Sequence, residues 1–202
     1  MATLAIDRAH LVRRAQLLAW GGIAWHFVEF AIAIVAGVAA GSIALIGFGI
    51  DSGIESAAGF VLLWRFASKH DEAERRAQQL IAISFYILAA YVAVEAVRAL
   101  VTSDQPEVSW VGIGLAAFTA PTMPILAAAK RRVGHKLGSS ATVSESNQTM
   151  VCAYLSVALL VGLGANALFG WWWADPAAAL VIAAVALREG RLSWRGHHCA
   201  DC

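Results

Sequence analysis

Six apolar runs, each close to the length that crosses a bilayer, alternate with clusters of basic residues along the chain. A hydrocarbon layer about 30 Å thick takes about 20 helical residues. The runs fall at 17–39, 42–64, 79–101, 109–129, 149–169 and 171–188. Backbone N–H and C=O groups find no water in hydrocarbon, so spans of this length must be helices. Only 14% of the 202 residues are charged and 59% are hydrophobic, against about a quarter charged in a soluble domain. The expected fold is an all-α membrane protein of six transmembrane helices.

The basic residues orient the helices. Arg8, Arg13 and Arg14 precede the first run. Arg65, Lys69, Arg75 and Arg76 lie between the second and third, and Lys130, Arg131, Arg132 and Lys136 between the fourth and fifth. Arg188, Arg191 and Arg195 follow the sixth. Six alternating helices put all but Arg98 of the 15 Lys and Arg on one side. The positive-inside rule makes that side, and both termini, cytoplasmic. Trp110 and Trp171–Trp173 then mark the outer interface, and Trp20, Trp64 and Trp194 the inner one. The expected location is the cytoplasmic (plasma) membrane, with lipid as a partner. The first run is too long for a signal peptide, and His26 and Glu29 interrupt it. Residues 1–190 read as one transmembrane domain and 191–202 as a short cytoplasmic tail. Basic residues set in short clusters between apolar runs do not make a nucleic-acid face. The segment SKHDEAERRAQQ reads as a solvated, helix-compatible connector.

Ionisable residues inside a bilayer are costly and mark function. Glu95, three residues before Arg98, has a local ion-pair partner at helical spacing. His26 and Glu29 share a face by the same spacing, as a structural pair or as a proton relay. Asp51 and Glu55, in GFGIDSGIES, share a helix face at i,i+4 with no cation in their own segment. Like charges so placed repel, and both cannot ionise in low dielectric unaided. Either the acids stay protonated against neighbouring backbone, or a divalent cation is the missing partner, since carboxylate oxygens suit such ions. Gly47, Gly49, Gly53 and Gly59, with Ser52 and Ser56, thin this helix so that a neighbour can pack closely.

The fifth run offers the matching donors. A rise of 1.5 Å per residue puts Asp51 about 14 Å deep, level with Cys152, and Glu55 level with Gln148. Gln148 and Cys152 again share a face at i,i+4. The bland alternatives are a small buried thiol and an interhelical amide hydrogen bond.

These segments, in this order, resemble the cation diffusion facilitators, six-span metal/proton antiporters. GSIALIGFGIDSGIES is similar to their second helix, SxALxxDAxxSxxD, and EAVRAL to their EAIRRL. KLGSSATVSESNQTMVCAYLS is similar to the entry of the fifth helix, ADAxHTxxDxxS, and WWWADPAAALVIAAVALREG to the sixth. The resemblance runs from about Gly37 to Gly190 and implies a metal site of Asp51, Glu55, Gln148 and Cys152. Gln148 and Cys152 stand where the family has histidine and aspartate, and Glu145 stands at the preceding acid. A thiolate in place of a carboxylate keeps three negative charges and makes the site softer, toward zinc or cadmium. Glu145 is a secondary donor in this scheme, beside the relay residues His26 and Glu29. The family's cytoplasmic dimerisation domain is not expected, so a homodimer would form through the transmembrane helices.

The chain closes GHHCADC, where His197, His198, Cys199 and Cys202 have metal-ligand chemistry or are a frayed tail with incidental donors. No nucleotide-binding motif and no nucleophile–base pair is visible, so neither an ATP-driven pump nor an enzyme is expected, and no cofactor beyond the transported ion. The sequence thus points to a divalent metal transporter, zinc or similar, with efflux coupled to protons. The alternative is a membrane metal sensor or a modulator of another transporter that does not itself transport.

Overall fold

The computed structural model describes residues 2–67, 71–103 and 106–195 as six helices. They are α1 (Ala2–Ala40), α2 (Ile43–Ala67), α3 (Asp71–Thr102), α4 (Trp110–Leu137), α5 (Ser140–Phe169) and α6 (Ala174–Arg195). No strand occurs among the described residues. The six expected runs fall on the six helices, five of which extend well past them: α1, α3 and α5 begin earlier, and α4 and α6 end later. α1 starts well before the apolar run, and α3 starts at Asp71, so the expected connector is mostly the first turns of a helix. Five helices are long and apolar enough to cross a membrane; α6 is not among these, because Asp175, Arg188, Glu189 and Arg191 crowd its ends. The four tail donors, His197, His198, Cys199 and Cys202, lie outside the described residues.

The helices pack most extensively as three pairs: α1 with α2, α4 with α5, and α3 with α6. α2 also touches α3, α5 and α6, and 67% of its apolar window is buried, more than any other span. It is the central helix. Its glycines explain the closeness of α1. A Cβ on Gly49 would stand 3.1 Å from Ala33 and Ile34, and one on Gly53 3.2 Å from Phe30. On Gly59 it would fall 2.6 Å from Ile23. Small residues let two backbones approach where any larger side chain would hold them apart.

Outside and inside are reversed relative to a soluble bundle. Val35, Val38, Ile87, Val101, Ile125, Val161 and Leu168 are exposed, whereas Glu29, Asp51, Glu55, Lys130 and Glu145 are buried. Such a surface belongs in lipid, and such an interior concentrates the function. Trp64, Trp110, Trp171, Trp173 and Trp194 are exposed near helix ends, as interfacial aromatics are, and Trp20 is exposed midway along the long α1. Arg98 lies 3.7 Å from Glu95, the local pair its spacing implies.

One polar contact fixes the top of the bundle. Asp175, at the start of α6, takes a hydrogen bond from Ser42 Oγ and accepts from the backbone of Ile43 at 3.0 Å and Ala44 at 3.4 Å. Ser42 Oγ in turn accepts from Leu45 N at 3.1 Å. The first turn of any helix has unpaired N–H groups. Here a carboxylate from another helix meets them, on the end of the dipole that favours negative charge. Replacing Asp175→Ala should remove that cap and destabilise the protein by about 1–2 kcal/mol, read as a lowered thermal unfolding midpoint in detergent.

Candidate metal centre

Four helices converge on Glu29, which is fully buried on α1. His26 Nδ1, one turn earlier, lies 3.2 Å from Glu29 Oε2. Ser52 Oγ of α2 donates to the same oxygen at 3.0 Å. Thr119 Oγ1 of α4 donates to Oε1. The Cys152 thiol of α5 points at Oε2 from 3.9 Å. A carboxylate with this many donors has its oxygens satisfied.

Glu55 is in the opposite condition. Its Oε2 lies 3.1 Å from His26 Nδ1. Neither of its oxygens has a hydrogen-bond partner among the described residues, although both are buried. His26 Nε2 is likewise buried and without a partner among them. Donor atoms of His26, Glu55 and Cys152 all lie within 4.8 Å of one another, each side chain buried. Asp51, one turn before Glu55 on α2, is buried as well. Asp51, Glu55 and Cys152 thus lie inside the bundle as the sequence implies.

The register differs from the expected one. The depth estimate puts Cys152 beside Asp51 and Gln148 beside Glu55, but the thiol instead clusters with Glu55. Gln148 is half-buried, one turn earlier on α5. The estimate treats the helices as upright, and helix tilt is set by packing against neighbours rather than by span length.

Toward the basic ends of α4 and α5 lies a buried residue that the sequence pattern does not single out. Lys130, counted above with the basic loop cluster, is 2% exposed. Its Nζ donates to Glu145 Oε1 at 3.0 Å and to Thr149 Oγ1 at 3.1 Å. Gly22 of α1 makes room for it, since a Cβ there would stand 2.9 Å from Nζ. A signal was present: Met123, Ala127 and Lys130 recur at helical spacing on the buried face of α4, whereas Arg131 and Arg132 face outward. Glu145, a secondary donor in the sequence scheme, has an ammonium partner here.

Among the described residues the buried interior therefore sets Glu29, Asp51, Glu55 and Glu145, besides the capping Asp175, against one lysine and one histidine. Buried charge must be paired or must bind an ion, and this interior has a surplus of acids. Its oxygen, nitrogen and sulfur donors suit a borderline divalent metal such as zinc.

Residues 20–194 match the model of the cation efflux transmembrane domain. The chain belongs to the cation efflux family. Its members move metal cations across membranes, so a metal ion is the partner that the acid-rich interior calls for. Among curated proteins, none matches the chain sequence to sequence. Within this cation efflux domain α2 carries Asp51 and Glu55 and α5 carries Cys152, while from α1 His26 lies 3.1 Å from Glu55 and Glu29 3.9 Å from the Cys152 thiol.

Removing one partner of the Lys130–Glu145 pair leaves an uncompensated buried charge. Lys130→Ala should cost roughly 3–5 kcal/mol, whereas Lys130→Met combined with Glu145→Leu should recover most of the loss. Thermal unfolding of the single and double variants checks this.

Proposed function

We propose that this cation efflux protein carries a divalent metal, zinc or an ion of similar softness, out of the cytoplasm in exchange for protons. In this reading both termini face the cytoplasm and the membrane is the plasma membrane. Asp51, Glu55 and Cys152 hold the ion, with Gln148 as a neutral oxygen donor from the next turn of α5. The observation that carries the reading is Glu55: a buried carboxylate whose two oxygens have no hydrogen-bond partner among the described residues. It stands one turn from a second buried acid. Such a pair is costly unless a cation visits it.

Cys152 supports the proton coupling. A thiol must lose its proton to bind metal, so each ion that enters releases one. The released proton leaves on the side to which the site is open, and reprotonation of the thiol helps expel the metal. Two copies associating through their lipid-facing helices would complete the assembly, small residues at the seam permitting close approach.

Proteoliposomes containing the purified protein should take up zinc, cadmium and cobalt, faster with an opposing proton gradient than without. Asp51→Ala should lower the initial rate at least about tenfold, a loss that follows even when only the support of a ligand is disturbed. Equal flux through wild type and Asp51→Ala would end the transport reading of this site. Metal binding with no flux in either would favour a sensor or modulator instead. Cys152→Ser should slow uptake and flatten its pH dependence; a variant that keeps both would remove the thiol from the mechanism.

A further inference from the structure

We infer that the imidazole of His26 on α1 is a direct ligand of the transported cation, completing a His26–Glu55–Cys152 set drawn from three helices. The inference rests on the proposal that Glu55 and Cys152 hold metal, and it adds a helix and a donor type to that site.

Three observations carry it. The first is distance. Ligands about 2.0–2.3 Å from one zinc-sized ion stand roughly 3.3–3.8 Å apart around a tetrahedron. Donor atoms of His26, Glu55 and Cys152 already lie within 4.8 Å of one another, and the nitrogen that faces Glu55 is His26 Nδ1, 3.1 Å from Oε2. Gathering them around an ion takes side-chain adjustment of about an ångström, on the same tetrahedral geometry.

The second is the distribution of free valence. Glu29 has its oxygens occupied by Ser52 and Thr119, with His26 beside them. Glu55 has both oxygens without a partner among the described residues, and His26 has Nε2 in the same condition. Buried polar atoms are nearly always paired, so those left over point to something that binds them. Such atoms among the described residues are Trp25 Nε1, His26 Nε2, Glu145 Oε2 and both oxygens of Glu55, and in that set Glu55 alone has two.

The third is how the ring is held. A carboxylate beside the ring orients a metal-binding histidine. Glu29 fills that place, itself tied down by Ser52 of α2 and Thr119 of α4. Glu29 is then a positioning residue, and its hydrogen bonds set where the imidazole sits. The competing role for His26 is an imidazolium that only neutralises Glu29 and Glu55. That role predicts a stability change on substitution and no change in how a bound metal is coordinated.

Cobalt(II) reports coordination directly. The full chain, with His197→Ala, His198→Ala, Cys199→Ser and Cys202→Ser so that the tail holds no imidazole or thiol, is purified in detergent and titrated with cobalt. The parent should develop a thiolate-to-cobalt charge-transfer band together with tetrahedral d–d bands. His26→Gln keeps an amide to bond Glu29. It should weaken cobalt binding about 10- to 100-fold and shift the d–d bands while the thiolate band persists. An unchanged affinity and spectrum in His26→Gln would overturn the inference and leave the proposed function standing. A parent that binds no cobalt, or binds it without the thiolate band, would overturn the metal reading of Glu55 and Cys152 and this inference with it. Should His26→Gln not fold, X-ray absorption at the zinc edge on the parent with one equivalent of zinc decides. Sulfur and imidazole scattering from the same ion supports the inference, because Cys152 is then the one cysteine left. Sulfur without imidazole overturns it.

Discussion

A single buried carboxylate holds the interior together. Glu29 takes hydrogen bonds from its own helix, from α2 and from α4, and the thiol of α5 faces it. In water each of these contacts would be worth little, because solvent offers equivalent partners. Inside a bundle sheathed by lipid there is no such alternative, and an unmet polar group is expensive. The four helices are therefore fixed in mutual register by polar chemistry at one depth, while apolar packing above and below tolerates many arrangements. That is why Glu55 comes to lie against His26, on the same ring nitrogen that faces Glu29.

The polar interior divides into two compartments of different character. Near the basic helix ends, Lys130, Glu145 and Thr149 form a closed ion pair: a tethered ammonium meets a carboxylate and a hydroxyl. One turn of α1 separates it from His26, since Gly22 stands against the ammonium and His26 follows at i+4. The second compartment holds acids without a tethered cation. The contrast is chemically informative, because Glu145 has an ammonium on one of its two oxygens whereas Glu55 has a hydrogen-bond partner on neither among the described residues.

Much of the fold was legible because a bilayer leaves few options. The lengths of the apolar runs, the one-sided placement of the basic residues and the i,i+4 spacing of Asp51 and Glu55 are one-dimensional signals, and the six helices follow them. The local pair of Glu95 and Arg98 was legible for the same reason. What escaped depends on contacts between helices. Gly49, Gly53 and Gly59 announced a close neighbour without naming it, and the neighbour is α1. Lys130 was hidden by its company, since the two arginines after it do belong to the surface. The register of α5 against α2 was off because tilt arises from packing. So the burial of Asp51, Glu55 and Cys152 could be read from the sequence, whereas the place of His26 beside Glu55 could not.

The glycine seam has one more consequence. Where α2 offers bare backbone to Ile23, Phe30, Ala33 and Ile34 of α1, the two helices stand nearer than two faces of side chains would allow. His26 and Glu55 project from the two sides of this seam, 3.1 Å apart at their nearest atoms. A larger residue at Gly49, Gly53 or Gly59 would therefore move imidazole and carboxylate apart without touching either.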